Sequence, residues 1–326
     1  MRSALFDALT PKQARIASIL KIYGKEKLNL IITCRKYFHL EDILNLYNVE
    51  YICIGKYGEN LKDKLVFGLE RQMKLVDIAE GVDGVVSFPS PDAVRVAFGL
   101  GKRIVVLNDT PHAAHVNYLT LPLADMLIAP SAIPPESWRP YCPKRIAMFD
   151  GVFEYMWTSR HKPNIDAIKR LGLAPGEYVV FRPEEAKAAY YRWDSVALRN
   201  KLVEHIKSLG YKVVNVPRYG DQVIPGEINL VNAVDHLDLA YYAAAVVTGG
   251  LTMATEAALL GVPAVSFFPS DLYIDKFLRD KGAPLYRCNG LDQCLSAVKL
   301  ALSEGRRGGV KLEDPLPVIL EAVESL

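Results

Sequence analysis

The chain has 326 residues, half of them hydrophobic and 23% charged, with a formal net charge of +2. This composition supports sizeable cores and excludes a disordered chain. The charge is nearly balanced and no basic stripe stands out, so nothing calls for a nucleic-acid partner.

Arg2 to Asp7 reads as a first strand and not as a secretion signal, because no apolar run and small-residue cleavage site follow it. No stretch approaches the roughly 18 apolar residues of a membrane-spanning helix. Pro11 to Tyr23 has helical spacing, Leu28 to Thr33 is a continuous apolar strand, Leu40 to Leu46 is helical, and Tyr51 to Ile54 is a strand stopped by Gly55. A long amphipathic helix is expected over Leu61 to Ile78. Strands follow at Gly84 to Ser87, Arg103 to Leu107, Asp125 to Ala129 and Arg145 to Phe149, with a helix from Pro91 to Leu100. Continuous apolar strands alternating with helices predict a parallel sheet covered on both faces. The five prolines between Pro130 and Pro143 exclude a regular element there.

The same grammar restarts after a weakly patterned stretch. Strands are expected at Tyr178 to Phe181, Lys212 to Val216, Ile228 to Val231, Ala245 to Thr248 and Val262 to Phe267. Helices are expected at Trp193 to Leu209, Leu237 to Tyr242, Thr252 to Leu260, Tyr273 to Asp280, Asp292 to Glu304 and Pro317 to Leu326. The five cysteines (Cys34, Cys53, Cys142, Cys288 and Cys294) form no CxxC pair and read as free, buried thiols in a reducing cytoplasm.

The strongest local signal is the run from Ala245 to Ala264: strand, Gly249-Gly250, helix, Gly261, strand. Small residues at such a turn admit conformations and contacts that a Cβ forbids. The following helix offers unpaired N–H groups and a positive dipole end to a phosphate. Thr252 is placed to cap the helix or to add a hydroxyl. Glu256, one turn in, is placed to accept hydrogen bonds from a ribose diol. A tight turn with a dipole-satisfying carboxylate explains the same residues without a ligand. No GxxxxGK[ST] or GxGxxG motif is present, which argues against a classical dinucleotide enzyme.

Ligands of open α/β sheets gather beyond the carboxyl ends of the strands. That rule singles out Arg182 as a phosphate clamp, with Lys187, Tyr190, Tyr191 and Arg192 near it in sequence. In the first half it singles out Asn108, Asp109, His112 and His115. Asp109 or a histidine is the natural base, and the two histidines are spaced to share a helix face. His-x-x-His alone does not specify a metal, and none is expected. Asp7 and Asp92 follow two other strands and are candidates for substrate contact. Ser90-Pro91 and Thr10-Pro11 read as helix starts.

The segment from Gly249 to Glu256 with Gly261-Val262-Pro263 resembles the donor-binding segment of MurG-type glycosyltransferases. The two-half layout resembles the GT-B architecture of those enzymes and of UDP-N-acetylglucosamine 2-epimerases. The whole chain is similar to a family of uncharacterised archaeal and bacterial proteins known as DUF354. That resemblance rests on Ser87 to Ala93, Ala97 to Gly101, Asn108-Asp109-Thr110 with His112, Thr120 to Asp125, Arg182-Pro183 and Tyr190-Tyr191. It departs from the usual family form at position 12, which is Lys where a histidine is more usual.

The resemblance implies two Rossmann-like domains with parallel sheets facing across a cleft. Residues 1–155 would form the acceptor or substrate side, residues 156–312 the nucleotide-sugar side, and residues 313–326 a helix packing back toward the first domain. It implies that Gly249 and Gly250 hold a diphosphate and Glu256 the ribose. The expected function is nucleotide-sugar-dependent glycosyl transfer, with a UDP-sugar as substrate and no tightly bound cofactor. The alternatives are a UDP-sugar 2-epimerase and a non-catalytic nucleotide or sugar-phosphate binder. The acceptor is not legible, a homodimer is allowed, and the expected location is the cytoplasm.

Overall fold

The computed structural model describes residues 1–37, 39–184, 195–230 and 235–325. The chain divides into two compact units, Met1–Trp157 with Leu312–Leu326, and Thr158–Lys311.

Unit 1 runs β1 (Arg2–Ala8), α1 (Pro11–Tyr23), β2 (Leu28–Lys36), α2 (Leu40–Leu46), β3 (Ile52–Lys56), α3 (Leu61–Glu80), β4 (Gly84–Ser87), α4 (Pro91–Gly99), β5 (Arg103–Leu107), α5 (Ala114–Tyr118), β6 (Met126–Pro130) and β7 (Ile146–Phe149). A short helix, α6 (Tyr155–Thr158), ends the segment. The sheet has seven strands in the order β3-β2-β1-β4-β5-β6-β7. Every pairing is parallel, as apolar runs such as Leu28–Ile32 and Ile104–Leu107 require when both faces are covered. The helix starts are those of the sequence: Thr10 caps α1 and Ser90 caps α4, each followed by proline. The proline-rich stretch holds only short 3-10 turns, Pro135–Ser137 and Arg139–Tyr141.

Unit 2 runs α7 (Asp166–Lys169), β8 (Tyr178–Arg182), α8 (Ser195–Ser208), β9 (Lys212–Asn215), β10 (Ile228–Asn229), α9 (His236–Tyr241), β11 (Ala245–Thr248), α10 (Thr252–Leu259), β12 (Ala264–Ser266), α11 (Tyr273–Asp280), β13 (Leu285–Arg287) and α12 (Leu291–Glu304). Its parallel sheet has the order β10-β9-β8-β11-β12-β13. Val179, Phe181, Val213, Val247 and Val265 meet Leu202 and Ile206 of α8 and Val298 and Ala301 of α12 in one core. The last helix, α13 (Pro315–Glu324), belongs to unit 1 and packs on β2, β6 and β7.

Two expectations fail here. Strand β13 was not foreseen, because three residues at a sheet edge carry no period. Cys288 and Cys294 are not free: they form a disulfide between the end of β13 and α12, with Cα atoms 5.0 Å apart. A turn brings them together although their spacing is not that of a CxxC pair. Cys34 is a buried free thiol, Cys53 is partly buried and Cys142 is exposed. Among the described residues no helix is long and apolar enough to cross a membrane.

Candidate functional site

In a doubly wound sheet the strand order reverses at one point, and the loops on either side part there to admit a ligand. In unit 1 that point lies between β1 and β4, and in unit 2 between β8 and β11.

The unit 1 switch point is filled from within. Asp7, at the end of β1, is fully buried. One of its carboxylate oxygens accepts from Arg71 Nη2 at 2.6 Å and Thr33 Oγ1 at 2.8 Å, the other from Ser90 Oγ at 2.7 Å. Arg71 comes from α3 and is itself buried. It also donates to the carbonyls of Cys34 and Ile54, and its Nε to Asp92 at 3.2 Å. Gln72 Nε2 donates to the other oxygen of Asp92 at 3.1 Å. Asp7 and Asp92, expected at the substrate side, are therefore held by one buried arginine that ties three strands to α3 and α4. Asn108 is equally buried and shapes its own loop. It donates to Asn117 Oδ1 at 2.8 Å and accepts from the Thr110 amide at 2.8 Å.

A second cluster lies at the same carboxyl edge of the sheet. Lys12, on α1, places its ammonium 2.5 Å from Asp109 Oδ2 and 2.6 Å from Glu154 Oε1, over the ring of Phe88. Burial alone would lower the Lys12 pKa, but the two carboxylates outweigh it and hold the ammonium charged. One cation serves two acids. Burial pushes the Glu154 carboxyl above its ordinary range, with Lys12 offsetting part of the rise. Lys12 thus organises this cluster.

His112 stands next to it in sequence, on an exposed position before α5, which begins only at Ala114. His112 and His115 therefore do not share a helix face as their spacing suggested. Partial desolvation lowers the His112 pKa below its ordinary value of 6.5, and the charge of Asp109 opposes the drop. The sign is definite: the imidazole stays neutral, and able to accept a proton, down to a more acid pH than a free histidine. A proton NMR titration is expected to give a His112 pKa below 6.5, and Asp109→Asn should move it lower still. A value that rises in the variant would refute the assigned pairing.

In unit 2 the glycine pair occupies the switch point. The Gly249 amide donates to the Arg182 carbonyl at 3.1 Å, joining the loops after β8 and β11. A Cβ on Gly249 would lie 2.6 Å from Glu184 Cα and 2.8 Å from Phe267. A Cβ on Gly250 would instead lie 2.8 Å from Arg218 Nη2, the far end of a side chain. The two glycines are thus small for different reasons, and neither has the positive φ expected of a strained turn. Arg218, beyond β9, donates from Nε to the Pro183 carbonyl at 3.2 Å. Gln222 accepts from the Arg218 amide at 2.9 Å and donates to the Glu184 carbonyl at 2.8 Å, lacing the loops together.

Thr248 Oγ1 accepts from the Gly250 amide at 2.9 Å. Thr252 does not cap α10: the cap position is Leu251, with no side-chain cap bond. The first turn of α10 thus begins directly beside Gly250. Glu256 lies in α10 and is only 5% exposed. Glu184 is buried too, and among the described residues neither of its carboxylate oxygens has a hydrogen-bond partner. Lys187, Tyr190, Tyr191 and Arg192 lie outside the described residues.

Sequence reasoning passed over Lys12 as a partner, Arg71, Glu154, Glu184 and Arg218. Glu184 and Arg218 had a usable signal, since each lies just beyond the carboxyl end of a strand.

These two parallel-sheet units have known relatives. In fold the chain is similar to the Methanocaldococcus jannaschii UDP-GlcNAc 2-epimerase in complex with UDP-GlcNAc and UDP, with a TM-score of 0.73, 14% identity and full coverage of both chains. The Neisseria meningitidis UDP-GlcNAc 2-epimerase bound to UDP-GlcNAc gives a TM-score of 0.65 at 12% identity, covering 99% of this chain and 100% of that one. Spinosyn forosaminyltransferase SpnP gives 0.59 at 14% identity, covering 100% of this chain and 95% of that one. At such identities the likeness is one of fold, two α/β domains of the GT-B kind. In sequence, an uncharacterised protein of Methanocaldococcus jannaschii is 30% identical over 318 residues, 94% of this chain and 92% of that one. Residues 8–326 match the model of the family described as "Protein of unknown function (DUF354)". The chain belongs to the DUF354 family.

Proposed function

We propose that this protein is a nucleotide-sugar-dependent glycosyltransferase that grips the nucleoside diphosphate in unit 2 and moves a proton in unit 1. The observation that carries the reading is the guanidinium of Arg218 set against Gly250, at the switch point and beside the uncapped start of α10. Guanidinium and helix N–H groups together suit a diphosphate that gains charge as it leaves the sugar. Arg182 adds a second cation on the neighbouring strand end. Glu256 and Glu184 are the carboxylates available to ribose or sugar hydroxyls.

In unit 1, His112 takes the proton of the acceptor hydroxyl, and the adjacent negative charge of Asp109 stabilises the imidazolium that results. Lys12 keeps Asp109 in position. A UDP-sugar is the substrate most consistent with the fold relatives, two of which carry UDP-GlcNAc. The scheme needs no metal and no tightly bound cofactor.

A second reading, sugar epimerisation, is favoured by one feature. Asp109 and Glu154 share Lys12, and two acids around one ammonium are the means to take the proton from C2 of the sugar as the diphosphate leaves C1, and to return a proton to C2 as the diphosphate adds back. The test is calorimetric titration with UDP, GDP, ADP and UDP-GlcNAc. Binding of a nucleotide in the micromolar range supports the assignment to unit 2, and silence from all four defeats it. Incubation with UDP-GlcNAc in D2O then separates the readings, because only epimerisation puts deuterium on the sugar ring.

A further inference from the structure

Helix α3 carries a feature that neither reading uses. Leu61, Leu65, Leu69 and Met73 recur every fourth residue and are 84%, 65%, 52% and 77% exposed. Val66 and Val76, at 39% and 38%, widen the row. Single exposed apolar side chains are ordinary, but six on one helix are not. Elsewhere on the helix Arg71, Leu75 and Ala79 are buried, and Arg71 and Gln72 reach Asp92 of α4.

We infer that the exposed face of α3 is the contact by which two copies of this chain associate, the two helices lying antiparallel about a two-fold axis. Residues in steps of four form the ridges that interlock when helices pack. A symmetric dimer contact must also complement itself, and one pair of charges on α3, Lys62 and Glu80, meets that demand. Lys62 and Glu80 are both exposed and eighteen residues apart, about five full turns, so they lie on one line of the helix. Antiparallel pairing centred near residue 71 sets Lys62 against the partner's Glu80 at each end of the contact. The same pairing sets Leu69 against the partner's Met73 and Val66 against the partner's Val76. A membrane surface would favour lysine at both ends of the row, and an unrelated partner would not require the two ends to match.

The test is sedimentation equilibrium of the full chain and its variants, with circular dichroism to confirm folding. The wild type is expected to be a dimer at micromolar concentration. Leu69→Glu with Met73→Glu should weaken association at least about thirtyfold while the fold persists, since both side chains are exposed. Lys62→Glu should weaken the dimer, and Lys62→Glu with Glu80→Lys should restore it. A wild type that stays monomeric at about 100 µM, a dimer indifferent to the Leu69 and Met73 changes, or a charge swap that fails to restore association would each overturn the assignment.

Discussion

Arg71→Met is expected to remove about 3–5 kcal/mol of unfolding free energy, more than any other single side-chain exchange argued above. The reason is what would be left behind. Asp7 is fully buried and would be left with only two hydroxyl donors, those of Thr33 and Ser90. The carbonyls of Cys34 and Ile54 would each lose a donor, and Asp92 one of its two side-chain donors. Breaking a buried pair is costlier than never having made it. Asp7→Asn combined with Arg71→Met should therefore recover a substantial part of the loss. Urea unfolding monitored by circular dichroism measures both. If Arg71→Met cost less than about 1 kcal/mol, the arginine would not be the tie between β1, β2, β3 and α3 that the hydrogen bonds describe.

The second large effect separates the two glycines. Gly249→Ala drives a methyl into the Glu184 backbone, which cannot yield without moving the loop after β8, so a stability loss of about 1–3 kcal/mol is expected. Gly250→Ala meets only the end of the Arg218 side chain, which can swing aside. Its expected mark is on ligand affinity, with the melting temperature nearly unchanged. Arg218→Met should do the same more strongly. A charge-assisted contact to phosphate is worth about 1.5–3 kcal/mol, roughly a ten- to hundredfold loss in nucleotide affinity. Calorimetric titration beside thermal unfolding reads both quantities. A folded Arg218→Met variant with wild-type nucleotide affinity would remove the diphosphate from this edge of unit 2.

Much of the fold was legible because its signals are local. Continuous apolar strands, helices opened by Thr10-Pro11 and Ser90-Pro91, and the glycine turn after β11 all declare themselves within a few residues. Strand β13 and the Cys288–Cys294 disulfide did not, being short and carried by a turn. The candidate site was legible only as a set of strand ends. The rule that ligands gather there named Asp7, Asp92, Asp109 and Arg182 alike, and could not tell an anchor from a ligand contact. What sets Asp7 and Asp92 apart is their shared partner, Arg71, which α3 brings between them.

The sequence by itself determined the alternation of strand and helix, the parallel sheets and the family, since these follow from periodicity and from motifs read along the chain. Only the tertiary structure decided the partners. Lys12 meets Asp109 across 97 residues and Glu154 across 142, while Arg71 meets Asp7 across 64. Such pairings depend on strand order, which sets β1 between β2 and β4. A charge has no period, so what it finds when the sheet closes is written in no local pattern.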